Sequence, residues 1–186
     1  MAALLNLPPE LRLHIYEILL SRQPYHIYID EYFAKDCQAE WIQLKYLTRF
    51  DPSMASEILR TYWHVNTFMI PEVNTTTGVD LETSNWINGH VKDNVKDLRH
   101  LEFGFAARCS SPKAGLSNPV CYNVVSIDFH RPLARLSKSG RRGDGCTHVN
   151  VVVERMNGIL ATATRSNETR QLTRDDLWAL YRSCRG

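Results

Sequence analysis

The spacing of apolar residues changes period repeatedly along this 186-residue chain, and those changes restrict its fold more than any single motif. Leu4, Leu7, Leu11, Ile15 and Ile18 recur every three or four residues, which predicts a helix from about Pro9 to Leu20 with this stripe facing a core. Pro9 suits a first turn, where its missing N–H has no intrahelical acceptor, and Glu10 suits the positive end of the helix dipole. Leu13, Tyr16 and Leu20 widen the apolar surface, so the helix is expected to be covered on two sides. Over residues 25–33 the period falls to two, with Tyr25, Ile27 and Ile29 alternating against His26, Tyr28 and Asp30, the pattern of a strand. Residues 39–47 read as helix. Asp51-Pro52-Ser53 then supplies a cap and an N-terminal proline for a helix striped by Met54, Ile58, Leu59 and Tyr62 and ending near Trp63.

The second half continues the mixture. Asn66-Thr67-Phe68-Met69-Ile70 predicts a short strand and residues 71–80 a loop. Trp86, Ile87, His90, Val91 and Val95 return to helical spacing, with Thr83 or Ser84 as cap and Gly89 as a weak point. Leu101, Phe103 and Phe105 alternate as a strand, residues 106–119 read as a loop, and Val125, Ile127 and Phe129 mark another strand. Residues 133–145 read as a basic loop, and Val149, Val151 and Val153 as the start of one more strand. A last helix is expected from Thr173, with Asp176 at the reciprocal capping-box position and Leu177, Leu180, Tyr181 and Cys184 on one face. Strict strand–helix–strand alternation is absent, so the expected class is α+β rather than a doubly wound parallel sheet.

A chain of this length, 44% hydrophobic and 23% charged, can bury a core without disulfides or a structural metal. Its five cysteines are odd in number, widely scattered and free of any Cys-x-x-Cys, which predicts reduced thiols in a cytoplasmic or nuclear protein. No apolar run reaches the roughly 18 residues of a membrane span, and the start lacks the basic region of a secretory signal. The formal net charge of +2 hides an asymmetry. From Arg131 onward eleven Lys/Arg stand against five Asp/Glu, whereas the first 130 residues hold eleven against fifteen. Arg135, Lys138, Arg141 and Arg142 form the candidate basic patch, suited to phosphate or an acidic surface, or else simply solvated.

Catalytic patterns are missing. The nearest Cys/His pair, Cys146 and His148, has no second pair to complete a zinc site. No phosphate-binding glycine loop, dinucleotide fingerprint or nucleophile elbow occurs. Cys121 with His130 or His148 could assemble a thiol nucleophile, but a buried inert thiol is the simpler reading. Asp175 and Asp176 are explained by the first turn of the last helix. No catalytic residue, metal or cofactor is therefore expected. The aromatics lie apart from the basic surplus, so a base-stacking platform for nucleic acid is not expected either.

The run Leu7-Pro8-Pro9-Glu10-Leu11-Arg12-Leu13-His14-Ile15-Tyr16-Glu17-Ile18-Leu19-Leu20 resembles the N-terminus of a large group of fungal F-box-like proteins, Leu-Pro-x-Glu-Leu/Ile-Arg-x-x-Ile-Tyr-x-x-Leu. Ala55-Ser56-Glu57-Ile58-Leu59, Tyr62-Trp63 and Asn66-Thr67-Phe68 resemble a second block of the same group, and Trp86-Ile87 with Leu98-Arg99-His100-Leu101 a weaker third. The likeness covers roughly residues 4–105. It implies a helical module that docks on a Skp-family adaptor while the rest of the chain recruits a protein substrate for a cullin-based ubiquitin ligase. Leu7, Pro8, Leu11, Ile15 and Leu19 are the positions that carry over as adaptor-binding; the competing reading is that they pack only within the chain's own core. The chain departs from an ordinary F-box in the strand at 25–33 and in having Arg49-Phe50-Asp51 where that motif has a Val-Cys-Arg-x-Trp segment. The expected organisation is an F-box-like helical region over 1–63 with one inserted strand. A small α+β region over 64–186 continues it, with a mixed or antiparallel sheet flanked by helices in one compact domain.

Overall fold

In the computed structural model, which describes residues 4, 6–22, 26–29, 44–46, 48–49, 54–71, 81–108, 120–139, 147–165 and 172–184, Pro9 opens helix α1 (Pro9–Leu20) with Glu10 in its first turn. Helix α2 (Ala55–Val65) follows Met54, and its Met54, Ile58, Tyr62 and Trp63 are buried at the expected spacing. The expected cap at Asp51-Pro52-Ser53 lies outside the described residues, as do Tyr25 and the segments 30–43 and 72–80. Residues 44–46 and 48–49 are helical.

Five strands form one sheet in chain order: β1 (Ile27–Tyr28), β2 (Thr67–Ile70), β3 (His100–Arg108), β4 (Val120–Asp128) and β5 (Leu133–Ser139). The first three are parallel and the last three antiparallel, so the α+β class holds. The register stacks Ile27, Phe68, Leu101, Ile127 and Ala134 in one row across all five strands, and each is buried. This is the core face, where side chains of period two meet helices of period 3.6. The alternating Leu101, Phe103 and Phe105 all lie on it. One continuous cluster of buried side chains runs from Tyr16 to Cys184, joining helices α1 and α2 to the sheet and the later helices. Within it Trp63 stacks near Phe68 at 4.8 Å and Trp86 at 6.2 Å between ring centroids, a contact geometry worth about 0.5–1.5 kcal/mol per pair beyond area burial.

Between β2 and β3, helix α3 (Leu81–Asn85) passes into a π-helical turn over Trp86–Val91 and a 3₁₀ turn over Lys92–Asp97. Gly89 sits inside the π turn, where the helix was expected to be weakest. Two expectations fail downstream. Leu133–Ser139, read as a basic loop, is the edge strand β5. Val149, Val151 and Val153, read as a strand, lie in helix α4 (Thr147–Arg165). The β-branched run favours a strand by propensity, but Val149, Val152, Met156, Leu160 and Ala163 recur at three and four and are all buried, so tertiary packing decides. Helix α5 (Arg174–Ser183) begins as expected: Thr173 accepts from the Asp176 amide at 3.3 Å, and the Thr173 amide donates to Asp176 Oδ2 at 2.8 Å.

The edge of β5 is capped at Ala134 by a side chain. Asn157 of α4 accepts from the Ala134 amide at 2.8 Å and donates to the Ala134 carbonyl at 3.3 Å.

Candidate functional site

Helix α1 is held to α2 along one edge. The Arg12 guanidinium donates to both carboxylate oxygens of Glu57, at 2.9 and 3.2 Å, and to the Leu7 carbonyl at 3.0 Å. One turn on, the Tyr16 hydroxyl reaches the Met54 sulfur at 2.8 Å, in a side chain only 4% exposed. At the end of both helices the buried Asn66 donates to the carbonyls of Leu20 and Tyr62, each at 2.9 Å, and accepts from the Arg22 amide at 2.8 Å. Arg12, Tyr16 and Leu20 lie four residues apart on one helical row. The polar side chains Arg12, Glu57 and Asn66 thus clamp the segment 7–22 to the segment 54–66.

The apolar members behave differently. At about 100° per residue, Ile18, Leu11, Ile15 and Leu19 cover a continuous arc of about 100° beside the anchored edge. Leu11 is 52% exposed, Ile18 67% and Leu19 68%, and Ile15 is half-buried. Of the remaining adaptor-binding candidates, Pro8 is exposed and Leu7 half-buried. The stripe Leu4-Leu7-Leu11-Ile15-Ile18 was expected to face the core. The structure corrects this: the core receives Tyr16, with Leu4 and Leu20 packed against it, and Leu11 and Ile18 face outward. A helix apolar on two sides gives periodicity no means to choose between them. The side that packs inward is the one carrying Arg12, which pairs with Glu57, and Tyr16.

A second cluster, not foreseen from the sequence, lies on the sheet face away from the core. The register brings Tyr28, Met69, Glu102, Ser126 and Arg135 into one row, and Thr67, His100, Asp128 and Leu133 into the next. Ser126 donates its hydroxyl to Glu102 Oε1, and His26 Nε2 stands 3.2 Å from Glu102 Oε2. The His130 amide donates to Asp128 Oδ1 at 2.9 Å. Burial pushes the Asp128 carboxyl up, but the His130 amide, the His100 ring, the Arg131 amide and Arg99 together hold it below the usual carboxylate range. Burial keeps the His100 ring below its ordinary value despite Asp128 and Glu102. A cavity of about 250 Å³ opens here, with Thr67, His100, Glu102, Ser126, Arg131 and Arg135 among its walls. Further along this face Tyr122 crosses above Gly104 and donates to the Pro71 carbonyl.

Of the candidate basic patch, Arg135 lines this cavity. Lys138 is placed by register opposite Val124, beyond a bulge, and Arg141 and Arg142 lie outside the described residues. Cys37, Cys109 and Cys146 also lie outside them, and the Cys121 side chain is not described. Cys184 is buried and free, its thiol pushed far up by burial. Among the described residues no group of three or more His, Cys, Asp or Glu is placed to hold a metal ion, and no helix is long and apolar enough to cross a membrane. Comparison with known proteins supplies no relative: no family model matches the chain, and no curated protein or solved structure matches it.

Proposed function

We propose that the chain is a non-enzymatic intracellular interaction protein of F-box-like type. In this reading α1 docks on a Skp-family adaptor, and the remainder presents a protein substrate to a cullin-based ubiquitin ligase. The observation that carries it is the split character of α1: anchored through Arg12, Tyr16 and Leu20, it leaves Leu11, Ile18 and Leu19 more than half exposed. An amphipathic helix that lays its apolar face into a partner's groove uses anchors of this spacing, and exposed apolar patches of this kind mark interaction surfaces. The resemblance at Leu7–Leu20 supplies the partner's class. The alternative is a stand-alone interaction domain with no ligase link; a first helix wholly buried in the chain's own core would favour it, and the exposure of Leu11 and Leu19 supports the docking reading.

The test is a binding assay of the full chain against a purified Skp-family adaptor. The unaltered chain should bind, and the Leu11→Asp, Leu19→Asp double variant should not, while its melting temperature stays within about 2 °C because both side chains are already exposed. Failure of the unaltered chain to bind would leave the stand-alone domain as the better reading.

A further inference from the structure

The charged groups around the open-face cavity differ in how far their bonding is already satisfied. Glu102, whose side chain is 15% exposed, has both carboxylate oxygens engaged, by Ser126 and His26. Asp128 is held by the His130 amide and by the field of His100. Arg131 and Arg135 are exposed at the rim, and neither guanidinium has an acceptor among the described residues. The two acids are therefore already partnered, whereas the two more exposed arginines carry ten N–H donors between them with no acceptor among the described residues. Arg131 lies in the β4–β5 turn and Arg135 on β5, so a tight antiparallel connection sets their separation rather than two mobile loops. At about 250 Å³ the cavity is smaller than the roughly 300–1,000 Å³ of sites for drug-sized ligands, and suits a small molecule or the end of a larger one.

We propose that this cavity is an oxyanion-binding site, in which Arg131 and Arg135 clamp the phosphate or carboxylate of a small ligand over a floor formed by Thr67, His100 and Ser126. Guanidinium forks match both groups in bidentate geometry, and such charge-assisted hydrogen bonds are roughly twice as strong as neutral ones. A phosphate with about two negative charges uses both forks, whereas a single carboxylate saturates one, so phosphate is the tighter of the two. The site shares no residue with α1, and it stands or falls independently of adaptor docking.

The experiment is a titration of the full chain with inorganic phosphate and, in parallel, acetate, followed by backbone amide NMR shifts in 150 mM chloride. Phosphate should produce saturable shifts centred on β3, β4 and the β4–β5 turn. Arg131→Glu and Arg135→Glu should each weaken binding at least about tenfold. Arg155→Glu, an equal charge change on an exposed position of α4, should leave it unaltered. Tighter binding of phosphate identifies a phosphate-bearing ligand, and equal or tighter binding of acetate a carboxylate-bearing one. Absence of saturation by either ion, or equal weakening by the Arg155→Glu control, overturns the proposal. Thermal melts of the variants guard against misfolding, since none of the three arginines is buried.

Discussion

The Arg12 guanidinium meets the Glu57 carboxylate in a two-pronged contact at 2.9 and 3.2 Å, bridging 45 residues of sequence and fixing helix α1 on helix α2. Arg12→Ala leaves Glu57 without its partner in a site where the two side chains are 14% and 32% exposed. Loss of this two-pronged, charge-assisted contact should lower stability measurably, but by less than loss of a fully buried pair, because both groups keep contact with solvent. Arg12→Lys should recover only part of it, because an ammonium cannot span both oxygens. Denaturant unfolding of the two variants measures the difference; equal stability of Arg12→Ala and the unaltered chain would mean the contact is not formed in solution.

Asn66 is the second fastening, with three hydrogen bonds to the backbone at the ends of α1 and α2. Asn66→Leu buries the Leu20 and Tyr62 carbonyls and the Arg22 amide without that partner. A loss of about 2–4 kcal/mol is expected, at about 1–3 kcal/mol for each group left unsatisfied and with some relaxation. Protease cleavage near residues 20–26 should accelerate in parallel. An unchanged cleavage rate would show that the two helices hold together without Asn66.

Stability should fall as the pH is lowered through about 6.5. His64, His90 and His100 all have their pKa values lowered from 6.5, in each case chiefly by burial and for His64 also by Arg99 and Arg60. The geometry of His64 agrees: Arg99 lies 3.1 Å from its Nε2 and can only donate, so Nε2 is the acceptor and the ring is neutral. The unfolded chain binds these protons at a higher pH than the folded chain does. Unfolding therefore takes up protons between the lowered values and about 6.5, and the stability present above that range is lost on acidification. Urea midpoints from pH 8 to pH 5 should decline, and His100→Asn should flatten the slope. A midpoint that rises toward pH 5 contradicts the assignment of neutral rings.

Gly104 has no space for a side chain. A Cβ there would fall against the Tyr122 hydroxyl and the Pro71 carbonyl, the two partners of the hydrogen bond that crosses the open face. Gly104→Ala should cost about 1–3 kcal/mol by overpacking, and the added Tyr122→Phe exchange should not restore it while the Pro71 carbonyl stays in place. Thermal melts of the single and double variants provide the comparison.

The Cys184 thiol is fully buried and its pKa is raised by that burial. In the native chain at pH 8 it should resist alkylation, and in denaturant it should label fully, as read by peptide mass spectrometry. Labelling of native Cys184 at the rate of a free peptide thiol would contradict its place in the core.

What could be read from residues alone was whatever short-range chemistry decides. The Thr173–Asp176 capping box, the alternation of Leu101, Phe103 and Phe105, and the stripe of α2 are local patterns with one outcome, and each is found where expected. Segments whose local preference and tertiary setting disagree were misread. Val149–Val153 prefers a strand until Met156 and Leu160 extend the helical row, and β5 looks like a loop because its outward residues are Arg135 and Ser137. Glu102, Ser126 and Arg135 share a cavity because the β3–β4–β5 register aligns them. No spacing along the chain encodes that meeting. His26 joins them from a segment some 76 residues before Glu102.

The pair of hydrogen bonds between Asn157 and Ala134 has a consequence for the crowded cell. Carboxamide oxygen and nitrogen occupy the places where a sixth strand would put its carbonyl and amide opposite Ala134, so one side chain stands in for one residue of such a strand. Sheets left open at an edge recruit identical edges and grow into aggregates. By satisfying Ala134 from within, the chain removes one templating point on β5.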